Sequence, residues 1–274
     1  MTRVRACELA GIARSSSYYP PRPRRERVDR ERLTARVHAL AERFPRYGWR
    51  RMQAQLRAEG MSINHKPLRR LLREQGLSVR RRRRGCTLRT PEHRVYPNLY
   101  RRQMPAASNR VWVADLTQFW AGGQAAYLAV VMDVYPRRLI GWAVSRSPDV
   151  RLSRQALEMA LRRRRPAHGC LHHSDQGSTY TAPEYLQKLE RHGFVISMSR
   201  RAQPLDNAFM ESLMATIKGE EIDRRCYGSL EEARRSLSRY LDRLYNRQRL
   251  HSALGYQTPC AFEHQPKPKP NPNP

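Results

Sequence analysis

VWVADLTQFWAGGQAAYLAVVMDVYPRRLIGWAVS, residues 111–145, contains three apolar runs that are rich in β-branched and aromatic residues. The runs cover 111–120, 127–134 and 138–145, and they are separated by Gly-Gly and Pro-Arg-Arg turns. Runs of this length and composition, bounded by turn residues, predict strands that pair with their neighbours along the chain. This stretch therefore predicts an antiparallel, three-stranded meander.

Helical and strand patterns alternate after the meander. We predict a helix, a strand, a helix, a strand and two long helices, at about 150–163, 170–174, 181–192, 194–199, 206–221 and 229–247. A meander followed by alternating helices and strands fits the ribonuclease-H-like fold. The predicted fold class is α/β, with a mixed five-stranded sheet and covering helices.

Helical spacing of apolar residues dominates the N-terminal part of the chain. It predicts helices at 32–44, 48–60 and 64–76. Three short basic helices with tight connections fit a helix-turn-helix, and a small helical bundle with a basic surface is the alternative. In the first interpretation, the last helix presents Arg69, Arg70 and Arg73 to a DNA major groove.

The charge balance indicates a polyanionic partner. The chain has 53 Lys and Arg against 24 Asp and Glu, a formal net charge of +29 at pH 7 and a pI of about 11.2. An excess of this size is typical of nucleic-acid-binding proteins. The aperiodic run at 80–94, which includes Arg80, Arg81 and Arg82, is interpreted as a linker that follows DNA phosphates.

No apolar run is long enough for a membrane span, and the N-terminal residues do not fit a signal peptide. The 5 cysteines are far apart and form no CxxC pair, so neither disulfides nor a zinc site is indicated. We therefore expect a cytoplasmic protein with reduced thiols and no membrane partner.

Three acids fall where chemistry can be done. Asp115 lies in the first strand, Asp175 closes the fourth strand, and Glu211 lies on the helix after the fifth. Carboxylates that converge from different elements are the ligands that hard divalent cations need in phosphoryl transfer. Asn207 and Lys218 share one predicted helix face with Glu211, which places Lys218 near incoming DNA.

Further polar residues have competing interpretations. Asp133 suits a turn or ion-pair role better than that of a fourth ligand, and His172 and His173 alternate faces, so that one is buried and the other is near the site. Three tryptophans, Trp112, Trp120 and Trp142, are interpreted as core residues.

The segment from Tyr245 to His251 also has two interpretations. Its polar residues either bind phosphate or tie the last helix to the sheet, and the sequence leaves both open. In the first case, Arg249 and His251 are DNA-binding residues.

Several motifs resemble those of the integrase-core transposases of bacterial insertion sequences: WVADLT, YLAVVMDVYPRRLIGWAVS, HHSDQGSTYTAPEY, SMSRRAQPLDNAFMESLMATIKGE and YNRQRLHSALGYQTPCAFE. The resemblance is closest to the second-frame product (OrfB) of insertion-sequence family three, over residues 30–263. It implies that Asp115, Asp175 and Glu211 are the catalytic Asp, Asp, Glu triad, with 35 residues between the last two. It also implies that Lys218 contacts the element's terminal DNA.

The resemblance implies a cofactor and partners as well. The triad is expected to bind two Mg²⁺ ions, with Mn²⁺ as a substitute. Expected partners are the terminal inverted repeats, target DNA, further copies of this chain on DNA, and the upstream-frame product (OrfA), separate or fused. The reaction implied is strand cleavage followed by strand transfer, without a covalent protein intermediate.

The predicted domain organisation has five parts. These are a short helical segment, a helix-turn-helix domain, a basic linker, an integrase core with a helical extension and a Pro-rich disordered tail, at 1–25, 26–79, 80–106, 107–263 and 264–274.

One departure from the family leaves two other functions open. The loop at 202–205 has Ala-Gln-Pro-Leu in place of the family's glycine-containing sequence, and the loss of glycine stiffens the approach of Glu211. A DNA-binding regulator with an inactive core and a metal-dependent nuclease of the same fold are therefore the alternatives to a transposase.

Overall fold

A mixed sheet forms the centre of the chain in this computed structural model, which describes residues 3–9, 11, 30–79, 95–100, 104–200 and 203–265. The five strands are β1 (Val111–Ala121), β2 (Gln124–Asp133), β3 (Arg138–Ser145), β4 (Leu171–Ser174) and β5 (Val195–Met198). Their order is β3-β2-β1-β4-β5. β1 pairs antiparallel with β2, β2 pairs antiparallel with β3, and the β1–β4 and β4–β5 pairs are parallel. The predicted meander and mixed sheet are confirmed.

Helices cover both faces of this sheet because its strands alternate two apolar sets of side chains. Trp112 and Ala114 of β1 pack in one core with α5 (Val150–Arg164) and α7 (Pro183–Arg191). Val113 and Phe119 of the same strand pack in the other core with α8 (Ala208–Glu220) and α9 (Leu230–Ser238). The other described helices of this region are α6 (Ser178–Thr181) and α10 (Pro259–Glu263). A π-helical segment, Arg239–Tyr245, continues α9.

Four helices precede the sheet: α1 (Arg3–Leu9), α2 (Arg30–Arg43), α3 (Trp49–Ala58) and α4 (His65–Glu74). The last three share a small core that includes Val37, Leu56 and Leu68. The side chain of Asn64 accepts a hydrogen bond from the Lys66 amide at the start of α4. The three helices expected between 32 and 76 are therefore present.

This helix-turn-helix region is attached to the sheet region by polar and apolar contacts. Arg46 donates a hydrogen bond to the carbonyl oxygen of Ala215 in α8, at 2.9 Å. The amide of Leu250 donates to the hydroxyl of Tyr47 at 2.6 Å, and Leu250 packs against the small N-terminal core. The two regions are thus joined through α8 and the segment that follows the π-helix.

Two absences apply to the described residues alone. No helix among them is long and apolar enough to cross a membrane. Cys7, Cys170, Cys226 and Cys260 are free thiols, whereas Cys86 lies outside the described residues.

We predict that Gly141→Ala will destabilise the fold by about 3 kcal/mol, because overpacking a tight contact displaces backbone. A Cβ at Gly141 in β3 would overlap the carbonyl oxygen of Ala156 and crowd Ala160, so α5 would have to move away from the sheet. Urea unfolding measures the loss. Gly48→Ala is the matched control, since a Cβ at Gly48 meets nothing within 4 Å. Equal losses in both variants would contradict the close packing of α5 on β3.

Candidate active site

Asp115 and Asp175 occupy matching positions beside each other on β1 and at the end of β4. In the parallel pairing of these strands, Val113 lies opposite His173, and each aspartate follows two residues later. Neighbouring strands lie about 4.8 Å apart, and residues two apart point to the same face. Both carboxylates therefore face the side of the sheet on which Val113 packs, which is the side that α8 covers.

Glu211 brings a third carboxylate from the first turn of α8, where its side chain is exposed. Burial raises the pKa of Asp115 to about 7, and repulsion from Asp175 and Glu211 adds to this, while Lys218 acts in the opposite direction. Charges influence one another to this extent only at short range. The three acids and Lys218 therefore share one electrostatic environment.

Backbone amides orient both aspartates. The amide of Leu116 donates to Oδ1 of Asp115 at 2.7 Å, and the amide of Gly177 donates to Oδ1 of Asp175 at 3.0 Å. Burial of its carboxyl group raises the pKa of Asp175 as well. One oxygen of each carboxylate is thus held in place, and Oδ2 remains for another ligand.

The start of α8 is fixed by two buried polar residues. The carboxylate of Asp206 accepts hydrogen bonds from the Arg200 amide and side chain, both at 3.0 Å, and this guanidinium lowers the pKa of Asp206. Asn207 donates to the carbonyl oxygen of Ala114, next to Asp115, at 3.4 Å. Asn207 is 8% exposed and ties α8 to β1, and DNA binding by Asn207 stays a prediction.

An all-oxygen set of carboxylates is the donor chemistry that Mg²⁺ prefers. In the part of the chain that the structure describes, however, no group of three His, Cys, Asp or Glu side chains is close enough to hold one ion together. The two aspartates are placed by the sheet, whereas Glu211 is a long, exposed side chain that can turn about its own torsions. A site with all three ligands therefore requires the carboxylates to approach one another more closely than in this conformation.

The predicted DNA-binding arginines fall into three groups. Arg69, Arg70 and Arg73 are exposed on α4, as a DNA-contacting face requires. Arg80, Arg81 and Arg82 lie outside the described residues. Arg249 is 3% exposed and forms a bidentate ion pair with Glu220, at 2.9 Å from its Nη2 to Oε1 and 2.9 Å from its Nε to Oε2. Its guanidinium is thus paired inside the protein, and DNA contact by Arg249 stays a prediction.

The rest of the segment from 245 to 251 is also mainly structural. Asn246 accepts a hydrogen bond from the Leu139 amide and donates one to the Leu139 carbonyl oxygen, both at 2.9 Å. His251 is 5% exposed, and DNA contact by His251 stays a prediction. Of the two interpretations left open by the sequence, Asn246 and Arg249 satisfy the one in which the segment ties the last helix to the sheet.

His172 and His173 are both fully buried, because helices and loops cover both faces of the sheet. The ring of His173 bonds to the hydroxyls of Ser197 and Ser199, and Nε2 of His172 bonds to the hydroxyl of Tyr185. The expectation that one of the two is buried holds for both, and a position near the site stays a prediction for the other.

Two other expectations have opposite outcomes. Asp133 is fully buried and accepts hydrogen bonds from the amides of Asn109 and Tyr135, so its predicted role in a turn is confirmed. Trp112 and Trp142 are core residues as expected, but Trp120 is 65% exposed. The prediction for Trp120 is wrong because it lies near the β1–β2 turn, beyond the covering helices.

Sequence reasoning missed two arginines that face a common cavity, Arg51 on α3 and Arg137 between β2 and β3. The available signals were the basic pairs in GWRRM and YPRRL, which are hard to distinguish from surface charges in so basic a chain. Only the tertiary packing brings them together.

A ribonuclease-H-like sheet with carboxylates on adjacent strands and on the covering helix defines the class of metal-dependent polynucleotidyl transferases. Comparisons with known proteins agree with this class. Family models described as "Integrase core domain" match residues 105–204 and 192–259, and one described as "HTH-like domain" matches 28–85.

Proteins of similar sequence then identify the family. The chain is 36% identical over 263 residues to an uncharacterized 31 kDa protein of insertion element IS600 from Shigella sonnei, across 93% of this chain and 96% of that protein. It is 33% identical over 269 residues to the transposase InsF for insertion sequence IS3A from Escherichia coli (strain K12), across 94% and 93%. The chain belongs to the integrase-core transposases of insertion sequences.

A solved structure is also similar, a simian T-cell lymphotropic virus intasome. The match has a TM-score of 0.48 and 16% identity, and covers 88% of this chain and 78% of that chain.

We predict that Asp115→Asn will stabilise the metal-free protein above pH 7. The ordinary pKa of Asp is 3.8 and that of folded Asp115 is about 7, so the folded state holds a proton that the unfolded chain loses. The stability that this proton provides is complete below about pH 4 and is lost as the pH rises to about 7. Urea unfolding at pH 5 and pH 8, without divalent cations, should show a smaller loss for the variant than for the wild type.

Asp223→Asn is the control, since Asp223 is an exposed acid away from the three carboxylates. A pH dependence of Asp115→Asn equal to that of the wild type and the control would contradict the electrostatic coupling at this site.

Proposed function

We propose that Asp115, Asp175 and Glu211 are the metal-binding catalytic acids of this DNA transposase. The observation that carries the proposal is the parallel register of β1 and β4, which sets the two aspartates side by side beneath α8. The raised pKa of Asp115 supports it, because a carboxylate crowded by two others lacks sufficient positive charge. A bound divalent cation supplies that charge.

The proposed cofactor is a pair of Mg²⁺ ions, with Mn²⁺ as a substitute. Bound at these acids, the ions would activate the attacking oxygen and stabilise the leaving oxygen during phosphoryl transfer. The backbone amides of Leu116 and Gly177 hold the aspartates in position for this binding. Asp115 retains a proton near neutral pH when no cation is bound, so cation binding and release of that proton are coupled.

Lys218 is proposed to contact the terminal DNA of the element. It lies on α8 seven residues after Glu211, which places both on one helix face, and its charge acts on Asp115. An ammonium group here can bind a backbone phosphate close to the scissile bond. Lys218 would thus position DNA against the acids, without taking part in proton transfer.

The helix-turn-helix region is proposed to bind the terminal inverted repeats. Arg69, Arg70 and Arg73 form an exposed basic face on α4, the last of its helices, and the second helix of such motifs enters the major groove. Target DNA would then meet the acids from the side left open beside α8.

We also infer that the enzyme acts as a homo-oligomer on DNA. Each chain contributes one group of three acids, whereas strand transfer must hold two element ends and a target together. An upstream-frame product (OrfA), separate or fused to this chain, would add further DNA contacts to that assembly.

We predict that Glu211→Gln will reduce strand transfer by more than about 100-fold, because loss of a ligand should exceed the 10–100-fold cost of losing an outer-shell partner. The assay supplies terminal-repeat DNA, target DNA and Mg²⁺ and measures joined products. Glu184→Gln, an exposed position on α7, should retain wild-type activity.

The products that the wild-type protein forms distinguish a transposase from the two alternative functions. Cleaved ends that are never joined to target would indicate a nuclease, and DNA binding without cleavage would indicate a regulator. Equal strand transfer by the wild type and Glu211→Gln would overturn the assignment of Glu211.

We predict that Mg²⁺ will raise the melting temperature of the wild type in a saturable manner, and that Asp115→Asn and Asp175→Asn will lose most of this rise. Ligands that bind only the folded state stabilise it by mass action. Differential scanning fluorimetry at constant ionic strength measures the effect without any activity readout. An undiminished rise in both variants would show that the ion binds elsewhere.

A further inference from the structure

A second polar cavity lies where the helix-turn-helix region meets the sheet region. Its volume is about 50 Å³, and we name it the junction pocket. Its basic side chains are Arg51 of α3, Arg137 of the β2–β3 turn, Arg249 and His251, and hydroxyls of α8 and Ser252 also line it. The catalytic acids are not among its lining residues.

The junction pocket holds more positive charge than its surroundings neutralise. Of its three arginines, Arg249 is paired with Glu220. Neither Arg51 nor Arg137 has a salt bridge to an acid within the described ranges. Desolvation lowers the pKa of both guanidinium groups. Two partly buried cations therefore have no direct ion-pair partner, although the charge of Glu220 acts on Arg51 from a distance.

Three nitrogen atoms of the pocket also lack hydrogen-bond partners. These buried atoms are Nε of Arg51, Nε of Arg137 and Nε2 of His251. His251 itself is 95% buried, being 5% exposed. An unpaired buried polar group costs about 1–3 kcal/mol, and more when it is charged, so three such atoms in one cavity favour the binding of a polar ligand.

The chemistry of that ligand follows from the lining. Burial and the charges of Arg249, Arg51 and Arg137 hold the pKa of His251 near 2, so the ring is neutral. An anion would offset the repulsion among the three guanidinium groups. Water could satisfy the hydrogen bonds but would leave the charge unbalanced. A cavity of about 50 Å³ exceeds the 10–15 Å³ that one water needs and can accept a tetrahedral oxyanion.

We propose that the junction pocket binds a phosphate group of the DNA backbone. That the pocket binds an oxyanion follows from its own residues, whereas the DNA source of the phosphate rests on the transposase function. Guanidinium groups suit phosphate because they donate in a fixed, bidentate fork.

Neighbouring surfaces support DNA as the source. The junction pocket shares Arg51 and Ser252 with an open basic groove that includes Trp49 and Arg50. The guanidinium of Arg50 lies 4.5 Å from the centre of the Trp49 ring, and that of Arg69 on α4 lies 5.9 Å from it. Basic side chains thus continue from the recognition helix to the pocket.

The other end of this path reaches the catalytic region. Ser212 of α8 lines the pocket and directly follows Glu211, and both residues are exposed. A phosphate held here would lie between the DNA bound by α4 and the scissile phosphate. Because α3, the β2–β3 turn and α8 all contribute to the pocket, the bound phosphate would set the spacing between recognition and cleavage.

The first test uses inorganic phosphate as the probe, exchanged against chloride at constant ionic strength. Wild-type protein should show a saturable rise in melting temperature with phosphate. Arg137→Gln and Arg51→Gln should each bind phosphate about tenfold more weakly, the effect of losing one charge-assisted hydrogen bond. Arg151→Gln is the matched control, since Arg151 is exposed on α5 on the opposite face of the sheet and should respond as the wild type does.

The second test measures the affinity for terminal-repeat DNA at several salt concentrations. The slope of log K against log salt should be smaller by about 1 in Arg137→Gln and Arg51→Gln, and unchanged in Arg151→Gln. Free phosphate should compete with DNA in the wild type more than in either pocket variant. Circular dichroism of each variant establishes that it is folded, and two variants on different elements guard against one misfolding.

The outcomes are distinct. Equal phosphate affinity in all four proteins would overturn the junction pocket as an anion site. Weaker phosphate binding with unchanged salt slopes would overturn DNA as the source and indicate a free phosphate. The salt slope of Glu211→Gln should match the wild type, so a failure of the catalytic proposal leaves this one intact, and the reverse holds for strand transfer.

Discussion

The parallel register of β4 against β1 is the constraint on which the candidate active site depends. A slip of one residue would turn Asp175 to the other face of the sheet, into the apolar core beneath α5 and α7. Buried side chains on β4 oppose such a slip on both faces, since His173 bonds to Ser197 and Ser199 and His172 bonds to Tyr185. The two histidines before Asp175 thus serve to place that acid.

The placement of these acids close together lowers the stability of the folded protein. Desolvation and mutual repulsion raise the pKa of Asp115, so its surroundings disfavour its ionised form. The frame tolerates such a cost because the sheet is buried on both faces, with Trp112 in one core and Val113 in the other at 0% exposure. A rigid apolar sheet can therefore hold two acids that repel each other on adjacent strands.

Local patterns were sufficient to predict the strands and the helices, because each follows from periodicity or from turn residues. The burial of a side chain depends on its tertiary contacts, and this explains why the sequence did not reveal which side chains are buried. The apolar composition of β1 predicts that Trp120 is a core residue, but Trp120 lies near a turn that no described helix covers. The basic composition of the chain predicts that Arg249 is a DNA ligand. In the fold, Arg249 forms an ion pair inside the protein with Glu220, which is 29 residues away in sequence. No sequence pattern could reveal that ion pair, or that Arg51 and Arg137 line one cavity.

The segment that ends at His251 has more than one physical role. The side chain of Asn246 bonds to the amide and the carbonyl oxygen of Leu139 in β3. Arg249 forms an ion pair with Glu220 at the end of α8, so this segment is attached to both the sheet and α8. The next residues, through the Leu250 amide, hold Tyr47 of the helix-turn-helix region. One continuous segment therefore determines where α8, and with it Glu211, lies relative to the recognition helix. Recognition and cleavage are separate in sequence, but this packing makes the distance between them a property of the fold.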